Sequence, residues 1–255
     1  MNHNKLILLF VSLVLFYVVY KINYETYQNY QDINYIPKII ISTYHNKSKI
    51  PQKVYNNISK YAKNYKHKIF DDKEIILFLK QNYPSNVLKS FYNLKGAHKA
   101  DLFRYCYLYK YGGIYIDIKT ELIENIDDTF NKRNVNLYTV LSMFKGTIYQ
   151  GIIASVPNNP IFKELIDYIV QIQKPVHIYF AFTIDFYNNL KKNSLNKIKK
   201  GYNQYKDGSN YYLFYEKCST NKNDCLDGLD RYKRCCFVYD KEIRKIKIRY
   251  SDYPW

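Results

Sequence analysis

Acidic residues are scarce in this chain: 22 Asp and Glu stand against 39 Lys and Arg, a formal net charge of +17. A surplus that basic suits nucleic acid, an anionic membrane or a phosphate-bearing ligand. Nucleic-acid motifs are missing too, and the chain is crowded with Lys, Asn, Ile and Tyr, residues that AT-rich codons encode. The lysines at Lys63, Lys66 and Lys68 and from Lys191 to Lys200 therefore read as solvated faces, and no nucleic-acid partner is expected. No G-x-G-x-x-G and no Walker sequence occurs, which removes the dinucleotide-fold and P-loop readings. Internal repeats are absent. Cysteines number five, and the late four (Cys218, Cys225, Cys235 and Cys236) match no C-x-x-C zinc spacing. One or two disulfides among them are expected if the domain is lumenal, while Cys106, in an apolar helical pattern, reads as a small core residue.

The N-terminal apolar run, Leu6 to Tyr20, is shorter than the roughly 20 residues that a bilayer-spanning helix needs. Ile22 and the flanking Lys5 and Lys21 extend its reach, and no A-x-A-like cleavage site follows. The expectation is one transmembrane signal anchor over residues 1–22, a polar linker over 23–34 and a single domain over 35–255. Basic residues nearly balance across the run, so they set no topology. A single-pass membrane protein with its domain lumenal, ER- or Golgi-like, is expected if the chain serves a eukaryotic secretory system.

Apolar residues make up 47% of the chain, enough for a packed core. Ile36 to Thr43 reads as a buried strand, Pro51 to Lys63 as a helix and Tyr65 to Phe70 as a second strand. A helix opened by Asp71 and Asp72 stops before Pro84, and residues 85–110 are helical by spacing. Gly112 and Gly113 end that helix, and Ile114 to Asp117 follows as a strand. Further strands are expected at Asn136 to Met143 and Ile148 to Ser155, then an amphipathic helix from Asn159 to Gln173. The stretch from Asp117, DIKTEL onward, to Asp128 reads as loop. Strands alternating with helices predict an α/β domain with a mostly parallel central sheet.

In such sheets ligands gather beyond the carboxyl ends of strands, where Asp117 stands. Alternation along an extended chain puts Asp117 and Lys119 on one side. Asp101 and Arg104, three apart on the preceding helix, share a face that the glycine turn folds back against the strand. Taken singly, these residues read as a helix-surface ion pair, a turn cap and an exposed lysine. Together at one strand end they make a candidate catalytic site: acceptors for sugar hydroxyls in Asp101 and Asp117, cations for a diphosphate in Arg104 and Lys119.

The block KADLFRYCYLYKYGGIYIDIK resembles the signature of the DXD-type glycosyltransferases of family 32, which runs K-A-D-x-x-R and then L-Y-x-x-G-G-x-Y-x-D-x-D. IPKIIISTYHN is similar to that family's first strand, and YQGIIASVPNNPIF to a later strand and helix. The resemblance spans Ile36 to Gln173. It implies a GT-A-like nucleotide-sugar-binding domain and transfer of a hexose, with retention of configuration, from a UDP- or GDP-linked sugar to a glycan or other hydroxyl acceptor. It places Thr43 and Tyr44 by the nucleotide base, with Gly113 as a further substrate contact. Asp101 and Arg104 fall on the donor sugar and phosphates, and Asp117 on the ribose and sugar side and on Mn²⁺ or Mg²⁺. Lys119 departs from the pattern, because it replaces the second acid that binds the metal. Two readings stand open: Lys119 substitutes for the cation, or the metal binds through Asp117 and a tail carboxylate such as Asp227, Asp230 or Asp252. A catalytically inactive sugar- or nucleotide-sugar-binding protein on the same fold is the alternative.

Overall fold

A computed structural model describes residues 13–21, 35–172, 178–225 and 233–248. The chain divides into Met1–Tyr35 and Ile36–Trp255. In the first unit, residues 13–21 form helix α1, exposed along its length. The rest of the expected 1–22 anchor and the 23–34 linker lie outside the described residues. Among the described residues no helix is long and apolar enough to cross a membrane.

The second unit begins with β1 (Ile39–Thr43), α2 (Gln52–Tyr61), β2 (Lys66–Phe70), α3 (Asp72–Asn82), α4 (Ser85–Asn93) and α5 (Ala97–Tyr111). It continues with β3 (Gly113–Ile116), β4 (Thr120–Leu122), α6 (Ile126–Thr129), β5 (Leu137–Leu141), β6 (Ile148–Ser155), α7 (Pro160–Ile172) and α8 (Ala181–Asn193). Strands β7 (Gly201–Gln204), β8 (Asn210–Ser219), β9 (Cys235–Asp240) and β10 (Ile243–Ile248) complete it. Local chemistry accounts for the boundaries. Asp71 and Glu74 form a reciprocal capping box at the start of α3. Gly96, at φ +51°, separates α4 from α5, where the spacing predicts one helix.

Among the described residues ten strands join one sheet in the order β2-β1-β3-β6-β5-β8-β9-β10-β4, with β7 on β8. The sheet is mixed, not mostly parallel: β1 pairs in parallel with β2 and β3, β5 with β8, and the other pairings are antiparallel. Connection length accounts for two of the antiparallel pairings. A parallel return needs a crossover of about a dozen residues or more. Residues 142–147 between β5 and β6, and Lys241–Glu242 between β9 and β10, allow only hairpins.

Strand alternation gives the sheet two apolar faces. Ile41, Tyr115 and Ile153 pack under α3, α4, α5, α7 and α8, whereas Ile40, Ile114, Ile116 and Ile152 face α2 and α6. Three residues, Asp117 to Lys119, separate β3 from β4, yet β4 pairs with β10 at the far end of the strand order. The sheet must therefore curl until that far edge returns to β3, and Asp117 sits at the seam.

Beyond the sheet, Cys218 pairs with Cys236 across β8 and β9, and Cys225 pairs with Cys235. Cys106 is free and buried, in line with its apolar spacing.

Candidate functional site

Helix α5 carries no polar face to solvent along most of its length: His98 and every residue from Asp101 to Leu108 are buried. Burying an acid and a base in such a helix demands partners. The glycine turn supplies them. Gly112, at φ +64°, ends α5, and a Cβ there would lie 2.7 Å from the Pro157 nitrogen. The chain then re-enters the sheet as β3, alongside the helix it has just left.

The Arg104 guanidinium is fixed on every side. Its Nε donates to the Ala100 carbonyl (3.2 Å), Nη1 donates to the Gln150 carbonyl, and its plane lies 4.1 Å over the Tyr115 ring. Nη2 stands 3.4 Å from Asp101 Oδ1 and 3.7 Å from Asp117 Oδ1. The Tyr115 hydroxyl gives its proton to Asp117 Oδ1 (2.8 Å), so the Thr43 hydroxyl, 3.1 Å away, donates to Tyr115. The Asp117 amide is held by the Gly151 carbonyl (2.7 Å). Strand β3 ends at Ile116, and Asp117 opens a tight turn whose Thr120 donates to the Asp117 carbonyl through both its amide and its hydroxyl.

Two carboxylates against one guanidinium leave the site acceptor-rich. Burial pushes the Asp101 carboxyl up to about 6, against the pull of Arg104 and His98 and with Asp117 adding to the rise. Burial also works against the charge on Arg104, but Tyr115, Asp101 and Asp117 more than offset it, and the guanidinium stays charged. Burial likewise holds the proton on Tyr115.

Asp101, Arg104 and Asp117 line a cavity of about 120 Å³ with Gln150, Thr147, Phe144, Tyr179 and Phe180. Gln150 is buried; its Oε1 accepts from Tyr105 (2.5 Å), and its Nε2 has no hydrogen-bond partner among the described residues. A buried donor left unpaired is costly, and a ligand oxygen in the cavity is a partner for it. A second cavity of about 600 Å³ also borders the first turns of α5. Thr43, Tyr44, Tyr92, Lys95 and Lys99 line it.

The structure brings Asp101, Arg104 and Asp117 together, and it sets Thr43 and Tyr44 on the adjoining cavity. Gly113 is elsewhere. It begins β3, four residues and about 13 Å of strand from Asp117, where a Cβ would meet the Ile39 carbonyl at 2.8 Å. Packing against β1, not substrate, is what requires glycine there. Lys119 is half-buried and belongs to the turn, so strand alternation does not set its direction as the sequence predicts. Tyr115 and Gln150 escape the sequence reading. Tyr115 has a local signal, since it stands two before Asp117 on the same face of the chain. Gln150 has none.

A hard divalent cation of the Mg²⁺ or Mn²⁺ kind wants about six oxygen ligands. Asp117 offers one carboxylate, already engaged by Tyr115 and facing Arg104, and Asp101 is buried beside Arg104. The motif's next position is an ammonium. Among the described residues this donor set does not fit such a metal. Asp227, Asp230 and Asp252 lie outside the described residues. Glu216, Cys218 and Cys236 do cluster, but the two sulfurs are bonded to each other.

Residues 48–136 match the family described as "Glycosyltransferase sugar-binding region containing DXD motif". The resemblance read in the sequence is thereby borne out: this stretch is similar to DXD-type glycosyltransferase regions. The chain is also similar to "Uncharacterized glycosyltransferase L373" of Acanthamoeba polyphaga mimivirus, 31% identical over 138 residues, 53% of this chain and 53% of that protein. The chain thus spans about half the length of that curated relative. Among solved structures, "PaToxG Glycosyltransferase" superposes with a TM-score of 0.48 at 18% identity, covering 69% of this chain and 79% of that one. A transferase solved as a double cysteine-to-serine mutant gives 0.39 at 12% identity, covering 61% and 84%.

Proposed function

We propose that the protein transfers a hexose from a UDP- or GDP-linked donor to a hydroxyl of a glycan, with retention of configuration and without a divalent cation. The observation that carries this reading is the convergence of Asp101, Arg104 and Asp117 on one small cavity beside a larger one lined by Thr43 and Tyr44. The sugar occupies the small cavity, its hydroxyls donating to the two carboxylates and one of its oxygens accepting from Gln150. The nucleotide occupies the large cavity, with Tyr44 beside the base and Lys95 and Lys99 in reach of the phosphates.

In the reaction, the bond from the anomeric carbon to the diphosphate oxygen breaks, and its electron pair leaves on the diphosphate. The acceptor oxygen bonds to the anomeric carbon on the same face, and its proton passes to the departing diphosphate. The protein's contribution is positioning and charge. Arg104 is committed to its two carboxylates, so Lys119 is the motif residue that balances the leaving charge. The two disulfides support an oxidising compartment, and residues 1–22 hold the domain at the membrane.

The test is turnover of a panel of UDP- and GDP-sugars in Mn²⁺ and in EDTA, with the product anomer read by NMR. Turnover that survives EDTA and collapses in Lys119→Ala is the expected result. Turnover abolished by EDTA and restored by Mn²⁺ overturns the lysine assignment. Lysine in the second acid's place also favours the inactive binding protein, which saturable donor binding without turnover would establish.

A further inference from the structure

We propose that Phe144, Tyr179 and Phe180 form an acceptor subsite, a platform on which a pyranose ring of the acceptor glycan stacks. The proposal rests on the transfer reading and names the acceptor's chemical class and place. All three aromatics line the cavity that holds Asp101 and Asp117, yet they are 44%, 68% and 41% exposed. Large apolar side chains grouped at the mouth of a polar cavity mark a binding surface. Their rings touch: Phe144 and Phe180 are 5.3 Å apart, centroid to centroid, and Tyr179 and Phe180 5.2 Å at 86°. Rings set at an angle leave an open corner with π faces on more than one side.

Both segments that carry the rings are anchored from the interior. The buried Glu216 accepts from the Ser142 hydroxyl (2.8 Å) and the Met143 amide (2.9 Å), and Thr147 donates to the Phe144 carbonyl (2.7 Å). On the other side, Thr183 donates to the Phe180 carbonyl (2.8 Å). The Tyr179 carbonyl stands 3.2 Å from His98 Nε2, and a carbonyl can only accept, so that nitrogen carries the proton. His98 lies one turn before Asp101 on α5. The Tyr179 backbone and Asp101 are therefore tied to the same helix, and ordering of the rings need not wait for the ligand.

The occupant follows from position and chemistry. A two-substrate transfer needs the acceptor hydroxyl at the mouth of the sugar cavity, and in the proposed reading the nucleotide departs into the larger cavity. The surface at that mouth is aromatic, with the hydroxyls of Ser142 and Thr183 in the same lining. A pyranose matches both: its C–H face is apolar and weakly electropositive and lies on a π cloud, while its hydroxyl edge meets the polar groups. The Ser142 and Thr183 hydroxyls already donate within the protein and keep lone pairs that accept from a sugar hydroxyl, which an aliphatic lipid tail cannot supply.

The test measures glycan binding directly by saturation-transfer NMR on the full-length protein. The probes are methyl glycosides of glucose, galactose, mannose and N-acetylglucosamine and their trisaccharides. The expected result is saturation of ring C–H protons in at least one glycoside, weakened roughly tenfold or more by Tyr179→Ala or Phe180→Ala, as truncation of an aromatic anchor does. Tyr179→Trp should keep the binding, and melting curves show which variants are folded. Binding of no glycoside, or equal binding in the alanine variants, overturns the platform. Nucleotide-sugar binding, followed on the same samples, bears on the transfer reading alone, so the two failures are distinguishable.

Discussion

Arg104 is the residue on which the site's electrostatics turn. It is buried, it faces two carboxylates, and hydrogen bonds to two backbone carbonyls fix its plane. Removing one partner of a buried ion pair leaves an uncompensated charge, at about 3–5 kcal/mol. Arg104→Ala should lose that much stability in urea, and Arg104→Lys should recover only part of it, since an ammonium cannot make the planar contacts. Equal stability of wild type and Arg104→Ala would show that the pair carries no such constraint. Asp101 gives a pH dependence whose sign is fixed. Its folded carboxyl, raised to about 6, keeps its proton where the unfolded chain, near an ordinary value of about 4, has lost it. Between these values the folded state binds more protons, so stability falls as pH rises and is constant above about 6. Melting temperature should decline across that window in the wild type, and Asp101→Asn should flatten the decline. Donor turnover should rise through about pH 6 as the carboxylate becomes an acceptor. A rise in stability through the same window would contradict the burial argument.

At the scale of elements, the seam between β3 and β4 depends on Asn57 of α2. Its amide oxygen accepts from the Leu122 N–H and its amide nitrogen donates to the Leu122 carbonyl, both at 2.9 Å. One side chain thus satisfies both backbone groups of an edge residue. Asn57→Ala should cost about 1–3 kcal/mol, the penalty of leaving part-buried backbone groups unpaired. Denaturant melts would show it, and a loss below about 0.5 kcal/mol, the level of an ordinary surface substitution, would mean that water replaces the amide. What the sequence makes legible follows this division. Strand β6 and helix α7 stand out because long apolar runs and a proline mark them locally. The break between α4 and α5 has a local mark in Gly96, but the apolar spacing runs through it. Strand β4 cannot be read at all, since three residues of TEL are a strand only by pairing with β10, more than a hundred residues later. Asp101, Arg104 and Asp117 were readable because α5 and β3 are consecutive, whereas Gln150 and the aromatic rim reach the cavity through tertiary packing.

The whole molecule sets a small acceptor-rich cavity into a chain of net charge +17. That field favours the approach of the polyanionic donor proposed above, and the local carboxylates are suited to its sugar hydroxyls. The curled sheet makes the combination possible, because it returns the far edge to the end of β3 and lets Asp117 face α5. The mixed topology is thus part of the site. The most direct measurement is donor turnover by Asp117→Asn beside the wild type, on a donor that the wild type turns over. Asparagine keeps the shape and removes the charge that Arg104 and Tyr115 hold in place. Turnover should fall by about a hundredfold or more, the scale of losing one aligned electrostatic contact, with the fold intact. Wild-type turnover in Asp117→Asn would contradict the placement of the reaction in this cavity.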